Sequence, residues 1–599
     1  MKRKLIIRLI TALIIWIVAI TLNKYDYSLY LFIASYIIAG YDILFNAIRN
    51  LFRGKLLDEF FLMSIASIGA FFLKENIEAV AVMIFFQIGE LFQEIAVERS
   101  RRAIVDTMNL KVNKCYLENG LEVDPEDVEI GNVILVKPGE MVPLDGICVS
   151  QGSVNVASLT GEALDVDLDK GDNVLSGSIN TLTPLLIEVT KEYYDSTAAK
   201  ILDMVENATM KKAKSEKFIS KFAKVYTPIV VILALLLAFI PPLILGFNEN
   251  FNDWLYRALS FLVVSCPCAL VVSVPLTYFA GIGANAKNKI VVKGGSYLED
   301  LALCNTVVLD KTGTLTKAEF KITKVIGNNE DEILKIAKGL EKNSTHPLAQ
   351  VINKHVEEGY DFEIEETPGY GIIGKKDGKR YICGSAKLLA KYNINPINID
   401  EVGSVLFIAN ENECIGAIIL EDTIKEEAYE NIRLLKFMGK RIIVLSGDIK
   451  ESVEAVCKKL EINEYYYSLL PQDKVSKAEE IIKNNSGKVL FVGDGINDSP
   501  VLAIADIGVS MGQIGSDAAL EASDVVILND NLSALPKMIK IAKKTKRIVL
   551  QNIIMAIGIK ALILALCALN ILGMEWAIFA DVGVCVLAVI NAMRALRTK

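Results

Sequence analysis

The chain has 599 residues, more than a single compact core accommodates. Hydrophobic residues make up 52%, the mean hydropathy is +0.38 and the formal net charge is −8. This balance excludes a basic nucleic-acid binder and points to apolar membrane spans joined to acidic soluble lobes.

About 20 apolar residues cross a bilayer, and eight runs reach or approach that length: 5–23, 28–48, 56–73, 76–97, 219–246, 253–281, 548–572 and 574–592. The first is not read as a secretory leader, because its apolar stretch is long and no small-residue cleavage site precedes a soluble domain. Basic residues collect on one side of these runs: Lys2 to Lys4, Arg49 with Arg53, Arg99 with Arg101, Lys211 to Lys217, Lys287 with Lys289, and Arg594 with Arg597. The loops on the other side are short, so eight spans are expected with both termini and the soluble lobes in the cytosol.

Between the fourth and fifth runs, 104–200 reads as short β segments with turn signals, as in VILVKPGEMVPLDGICV. The sixth run contains Ser265-Cys266-Pro267-Cys268, the one close pair among ten scattered cysteines, which are not a disulfide framework. Helical positions two apart point about 200° apart, so Cys266 and Cys268 share an ion only if the helix breaks. Pro267 breaks it by removing a donor and clashing with the Val263 carbonyl, and broken membrane helices are tolerated where they line a site. Thiolates select soft or borderline ions such as Zn²⁺, Cd²⁺, Pb²⁺ and Cu⁺. With two histidines in the chain, His346 and His355, a histidine cage is excluded.

From 290 to 545 apolar strands alternate with amphipathic helices, the pattern of a parallel α/β sheet. Three apolar runs there lead into aspartates: Thr306–Leu309 into Asp310, Ile442–Leu445 into Ser446-Gly447-Asp448, and Val489–Val492 into Gly493-Asp494. One aspartate after a strand is commonly only a cap. Three, with a Lys-Thr-Gly-Thr turn after the first, describe a Mg²⁺-phosphate site at the carboxyl ends of parallel strands. A carboxylate there can attack a γ-phosphorus, and Lys474 is the candidate cation to neutralise the charge. Gly369-Tyr-Gly-Ile-Ile-Gly374 fits a dinucleotide-binding pattern, but Lys375–Arg380 reads as a turn entering a strand rather than a helix, so that reading is rejected. The last two runs carry one charge each, Lys560 and Asp581, which cost about 2.5–3.5 kcal/mol apiece at mid-bilayer and so need a function or a partner. A carboxylate beside two thiolates suits a dication, Lys560 then neutralises the empty site, and Cys585 lies one turn beyond Asp581 on the same face.

DKTGTLT at 310–316 resembles the signature of P-type ATPases, pumps with a haloacid-dehalogenase-like phosphorylation domain; GDGIND at 493–498, SGD at 446–448 and SLTGE at 158–162 resemble their hinge, TGD and actuator motifs. The resemblance implies that Asp310 is the nucleophile and that Asp494, Asp310 and the Thr312 backbone hold Mg²⁺. It implies that Lys474, Thr312 and Ser446 hold the phosphoryl group, with Lys311, Asp448, Asn497 and Asp498 completing the catalytic set. Glu162 would position the hydrolytic water, although Ala163 and Asp165 depart from the Ser and Pro usual after it. Glu341, His346-Pro347, Gly369 and Gly371 resemble the adenine-binding set of heavy-metal pumps. Cys-Pro-Cys with Lys560 and Asp581-x-Gly resembles the zinc/cadmium/lead branch of the CPx pumps, and the Asn-Tyr and Met-x-x-Ser-Ser of the copper branch are not found. Ile88-Gly89-Glu90 resembles that branch's release acid, with capping of the span's cytosolic end as the alternative.

The fold implied is a multidomain α-helical membrane protein with eight transmembrane helices, a cytosolic β-rich actuator domain, a HAD-like α/β phosphorylation domain and an α+β nucleotide-binding domain. Its expected parts are helices 1–4 at 1–103, the actuator at 104–200, helices 5–6 at 201–289, the phosphorylation domain at 290–317 and 436–545, the nucleotide-binding domain at 318–435, and helices 7–8 at 546–599. No ferredoxin-like metal-binding domain with Cys-x-x-Cys is expected, so metal enters the membrane directly, with Glu59 a candidate aid. The expected activity is ATP- and Mg²⁺-dependent export of Zn²⁺, Cd²⁺ or Pb²⁺ by a monomer in a bacterial plasma membrane, with no nucleic-acid partner. The rivals are a Cu⁺ pump, a membrane-anchored phosphatase and a non-catalytic metal sensor; the last two leave the full motif set unexplained.

Overall fold

The computed structural model describes residues 2–23, 25, 27–53, 59–106, 114–156, 165–200, 214–264, 268–344, 347–367, 371–376, 378–399, 404–494, 498–512 and 521–597. They divide into two units, Met1–Ala302 with Met538–Lys599, and Leu303–Lys537.

In the first unit the apolar runs are helices, since backbone in lipid must satisfy its own hydrogen bonds. Among the described residues six helices are long and apolar enough to cross a membrane: Lys4–Thr21, Ser28–Phe52, Tyr226–Leu245, Ala269–Lys287, Ala534–Ala568 and Trp576–Leu596. Two expected spans fall outside that measure. Glu59–Phe72 has 14 described residues, about 21 Å of helix against a hydrocarbon core of about 30 Å. Asn76–Asp106 is a helix of 31 residues, long enough to cross a bilayer. The expected sixth span, 253–281, is described as two helices, Phe247–Val264 and Cys268–Lys287, on either side of a proline that cannot donate to a helix. Residues 265–267 lie outside the described residues.

Phe32, Ile43, Met83, Ile84 and Val263 are among the side chains of the helical core. Several polar groups inside it are paired, which offsets the cost of burying them: Arg8 meets Asp42 at 2.8 Å, Gln87 Nε2 donates to Asp42 Oδ1 at 2.8 Å, and the Tyr36 and Ser67 hydroxyls lie 2.8 Å apart. Ile229, Leu233, Leu236 and Leu243 remain exposed on the helix Lys214–Leu245, the composition of a lipid-facing surface.

Residues 114–200 form two antiparallel sheets. The larger has the strand order Glu122–Val123, Cys115–Leu117, Val133–Val136, Leu185–Val189, Gly146–Cys148 and Asn173–Val174; the smaller has Gly152–Asn155 between Asp165–Leu168 and Ile179–Asn180. Leu185, Ile187 and Val189 alternate inward against Ile134 and Val136, the two-residue period of a half-buried strand. Asp145 is buried beneath this sheet. It accepts from the amides of Ser176 at 2.8 Å and Thr197 at 3.1 Å, from the Thr197 hydroxyl at 2.8 Å and from Lys191 at 3.2 Å.

The second unit contains two kinds of sheet. Within it six parallel strands run in the order Val525–Ile527, Ile507–Met511, Lys488–Gly493, Cys304–Asp310, Arg441–Leu445 and Glu464–Tyr466. Helices such as Glu426–Phe437, Lys450–Lys459 and Pro471–Asn484 connect them. Between the first strand and Arg441–Leu445 the chain builds a six-stranded antiparallel sheet, from Thr316–Gly327 to Cys414–Ile424, packed by the helices Glu330–Glu341 and Pro347–His355. Strands Gly371–Lys376 and Lys379–Gly384 pair antiparallel as a hairpin, in agreement with the rejection of a dinucleotide fingerprint there.

Candidate catalytic and metal sites

The parallel register brings the three acidic strand ends together. Asp310 pairs with Leu445, the residue before Ser446, while Leu309 pairs with Val492, two residues before Asp494. Lys474 enters from the helix Pro471–Asn484, whose first turn is set by Pro471 and by Asp473 accepting from the Leu470 amide. Its Nζ donates to Asp310 Oδ1 at 2.7 Å and to Asp498 Oδ1 at 2.9 Å. Asp498 packs directly over Gly493; a Cβ at Gly493 would stand 2.5 Å from Asp498 Oδ2. The glycine is therefore required for close approach rather than for flexibility.

Asp310 is 6% exposed. Burial, joined by the charge of Asp498, raises its carboxyl pKa from the ordinary carboxylate value, while Lys474 pulls the other way. Burial likewise raises Asp498. Three carboxylates around one ammonium leave the centre short of positive charge. Hard carboxylate oxygens on strand ends are the donor set that Mg²⁺ prefers, so the residues present fit that ion.

The turn after Asp310 is held by a residue that the sequence reading passed over. Lys425 is 2% exposed; its Nζ donates to the Gly313 carbonyl at 2.9 Å and to Asp530 Oδ1 at 2.6 Å, and its amide donates to the Leu315 carbonyl at 3.0 Å. It directly follows the strand Cys414–Ile424 and so ties the antiparallel lobe to the Asp310 turn. The one signal for it is a lysine immediately after a long apolar strand, which is also an ordinary surface pattern.

Other expected catalytic residues occupy varied positions. Thr312 is exposed on the turn. Ser446 is buried, and its hydroxyl oxygen accepts from the Asp448 amide at 3.1 Å. Lys311 does not turn to Asp310: its ammonium pairs with Asp448 and donates to the Ser452 hydroxyl at 3.3 Å, beside Asp422 in a separate small pocket. Asn497 and Glu162 lie outside the described residues.

In the antiparallel lobe Glu341 ends its helix at 6% exposure, and its Oε1 accepts a weak bond from the Cys383 thiol at 3.6 Å. Gly371 backs onto the same residue, for a Cβ there would lie 2.3 Å from the Cys383 carbonyl. Cys383 is thus the point where Glu341 and Gly371 meet. His346 and Gly369 lie outside the described residues.

In the first unit Lys560 donates to Asp581 Oδ1 at 2.5 Å, and their side chains are 5% and 14% exposed. The two isolated intramembrane charges therefore neutralise each other. A cavity of about 150 Å³ adjoins them, lined by Glu90, Asp581 and Cys585 among apolar side chains that include Met63, Phe86 and Val263. Gly89 permits the close packing: a Cβ there would press the Val582 Cγ2 at 3.0 Å. That contact brings the helix carrying Glu90 against the helix carrying Asp581. Cys266 lies outside the described residues, as do the side chains of Cys268 and Glu59. Among the described residues no three His, Cys, Asp or Glu side chains converge closely enough to hold a metal.

Residues 304–506 match the haloacid dehalogenase-like hydrolase family, and residues 111–206 match the P-type ATPase actuator domain. The chain is 47% identical to the cadmium, zinc and cobalt-transporting ATPase of Bacillus subtilis (strain 168), over 99% of this chain and 87% of that protein. It is 44% identical to the zinc-transporting ATPase of Synechocystis sp. (strain ATCC 27184 / PCC 6803 / Kazusa), over 94% and 80% respectively. A crystal structure of a zinc-transporting PIB-type ATPase in the E2.Pi state aligns over 99% of this chain and all of its own, with 32% identity and a TM-score of 0.63. On this likeness over nearly its whole length, the chain belongs to the heavy-metal-transporting P-type ATPases.

Proposed function

We propose that this integral membrane pump couples ATP hydrolysis to export of Zn²⁺ and Cd²⁺, with Pb²⁺ a further cargo of the same ligand chemistry. The observation that carries the choice of cargo is the Lys560–Asp581 pair. A divalent ion that binds Asp581 replaces the ammonium as its partner, whereas Cu⁺ gains less from a carboxylate than from thiolates alone. The names of the relatives favour the same reading over a Cu⁺ pump. Cys266, Cys268 and Asp581 are the proposed ligands, and Glu90 takes part in release.

In the catalytic cycle the Asp310 carboxylate attacks the γ-phosphorus of ATP, the bond to the β–γ bridging oxygen breaks, and ADP leaves. Lys474 holds the nucleophile in place before attack and offsets the charge of the transferred group. Thr312 and Ser446 supply hydroxyls to that group, and Lys425 positions the turn through the Gly313 carbonyl. Asp310, Asp494 and the Thr312 carbonyl would hold Mg²⁺, which when bound neutralises charge on the phosphates. Glu162 then orients water to attack the phosphorus, which frees Asp310. Glu341, His346, Gly369 and Gly371 form the adenine site in the antiparallel lobe.

The domain divisions at 103, 200, 289, 317, 435 and 545 are proposed with this reading. So are a monomeric state, the absence of a nucleic-acid partner, and a bacterial plasma-membrane location with termini and soluble domains in the cytosol, which the one-sided basic residues favour. Vanadate-sensitive ATPase titrated with Zn²⁺, Cd²⁺, Pb²⁺ and Cu⁺, with uptake into inverted vesicles, tests the whole. Stimulation by Cu⁺ alone would replace this cargo with the rival one.

A further inference from the structure

We propose that Cys585 is a transient thiolate ligand for the transported ion, taking it over from Asp581 within the cavity that Glu90 also lines. The inference rests on the cargo reading above and deepens it. Asp581 and Cys585 are four residues apart on the helix Met574–Met593, which puts both side chains on one face. That face lines the cavity, and Glu90 reaches the same space from the helix Asn76–Asp106. The remaining walls are apolar, with Met63, Phe86, Val263, Ile578 and Val582 among them.

An apolar chamber holding two carboxylates and a thiol is unusual in a membrane, where each polar group needs a reason. Its donors do not converge into a closed cage. The arrangement suits a path, on which an ion has few ligands at a time and no deep well. A space of about 150 Å³ is several times what one water needs, so a partly hydrated ion fits. Carboxylates alone favour hard ions; when the Cys585 S–H bond gives way to a sulfur–metal bond, its proton passing to the Glu90 carboxylate in the same cavity, the thiolate lowers the barrier selectively for soft ones. Cys585 therefore tunes the route toward Cd²⁺ and Zn²⁺ and away from Co²⁺.

The test uses the full chain in lipid nanodiscs. A small methanethiosulfonate reagent modifies Cys585, read by mass spectrometry of its peptide, and Cd²⁺ slows that modification about tenfold. Cys585→Ala lowers Cd²⁺-stimulated turnover about fivefold but Co²⁺-stimulated turnover less than about twofold. Cys585→Ser, which keeps the side chain's size, shows the same change in preference and separates ligation from packing. Modification that Cd²⁺ does not slow overturns the proposal, as does an equal loss with both ions in both variants. Failure of the underlying reading looks different: no divalent ion would stimulate the unsubstituted protein, and both proposals would fall together.

Discussion

The catalytic and membrane centres are both built from carboxylates and a lysine, yet their lysines are differently engaged. Around Asp310 one ammonium, Lys474, faces Asp310 and Asp498 directly, with Asp494 on the neighbouring strand. That centre is left short of positive charge, so it recruits a divalent cation with its phosphate. In the membrane Lys560 and Asp581 pair one to one, and Glu90 lines the adjoining cavity. In the proposed function, a cargo ion displaces the lysine to reach the carboxylate. In the proposed reading the first centre serves chemistry common to many pumps, and the second selects ions that compete for its acid.

The sharpest way to break this comparison is to remove the nucleophile. Asp310→Asn should lower acid-stable labelling from γ-labelled ATP by at least about 10⁴-fold, with metal binding in the membrane retained; residual labelling near the normal level would place the nucleophile elsewhere. Lys474→Met comes next and leaves Asp310 and Asp498 facing each other without an ammonium. Phosphorylation by ATP should fall about 10²–10³-fold, and a loss under threefold would show that Lys474 only steadies the empty site.

The membrane side is probed by Asp581→Ala, which strands the Lys560 charge. Zn²⁺-stimulated ATPase should fall at least about tenfold, and stability by about 3–5 kcal/mol. Adding Lys560→Ala should recover the stability but not the stimulation; normal Zn²⁺ stoichiometry and activity in Asp581→Ala would remove Asp581 from the ligand set.

The smallest effect concerns Asp145 in the actuator sheet, where burial opposes ionisation but the bonds from Ser176 and Thr197 outweigh it and lower its pKa. A lowered carboxylate stabilises the fold above its unfolded pKa of about 3.9 and loses that contribution as pH falls through the folded value. Hydrogen exchange around Val142 to Leu144 and at Thr197 should stay protected near neutral pH and weaken below about pH 4. Asp145→Asn should flatten that dependence, and an unchanged profile would assign the acid sensitivity to another group.

Much of the catalytic centre was legible before any fold was known. Asp310, Asp448 and Asp494 each follow an apolar run, and parallel pairing puts the ends of such runs at one edge. The rejected glycine pattern at 369–374 was legible for a similar reason, because a turn into a second strand leaves no helix to receive phosphates. Lys425 and Asp145 were not legible. Each acts through backbone groups far away in the chain, Gly313 for one and Thr197 for the other. The span count was legible only in part: apolar length locates six membrane helices among the described residues, and Glu59–Phe72 and Asn76–Asp106 follow the apolar runs expected as the third and fourth.

By itself the sequence determined residue types and their spacing: an aspartate after an apolar strand, two cysteines flanking a proline, and two membrane charges that needed partners. These are local facts of residue type and spacing, and spacing alone carries them. Tertiary structure decided which charges meet. It joined Lys474 to Asp310 across 164 positions and Lys560 to Asp581 across 21, and it turned Lys311 toward Asp448 instead. It also opened one chamber to Glu90, Asp581 and Cys585. Charge pairing depends on distance and burial, and both are set only when helices and strands pack.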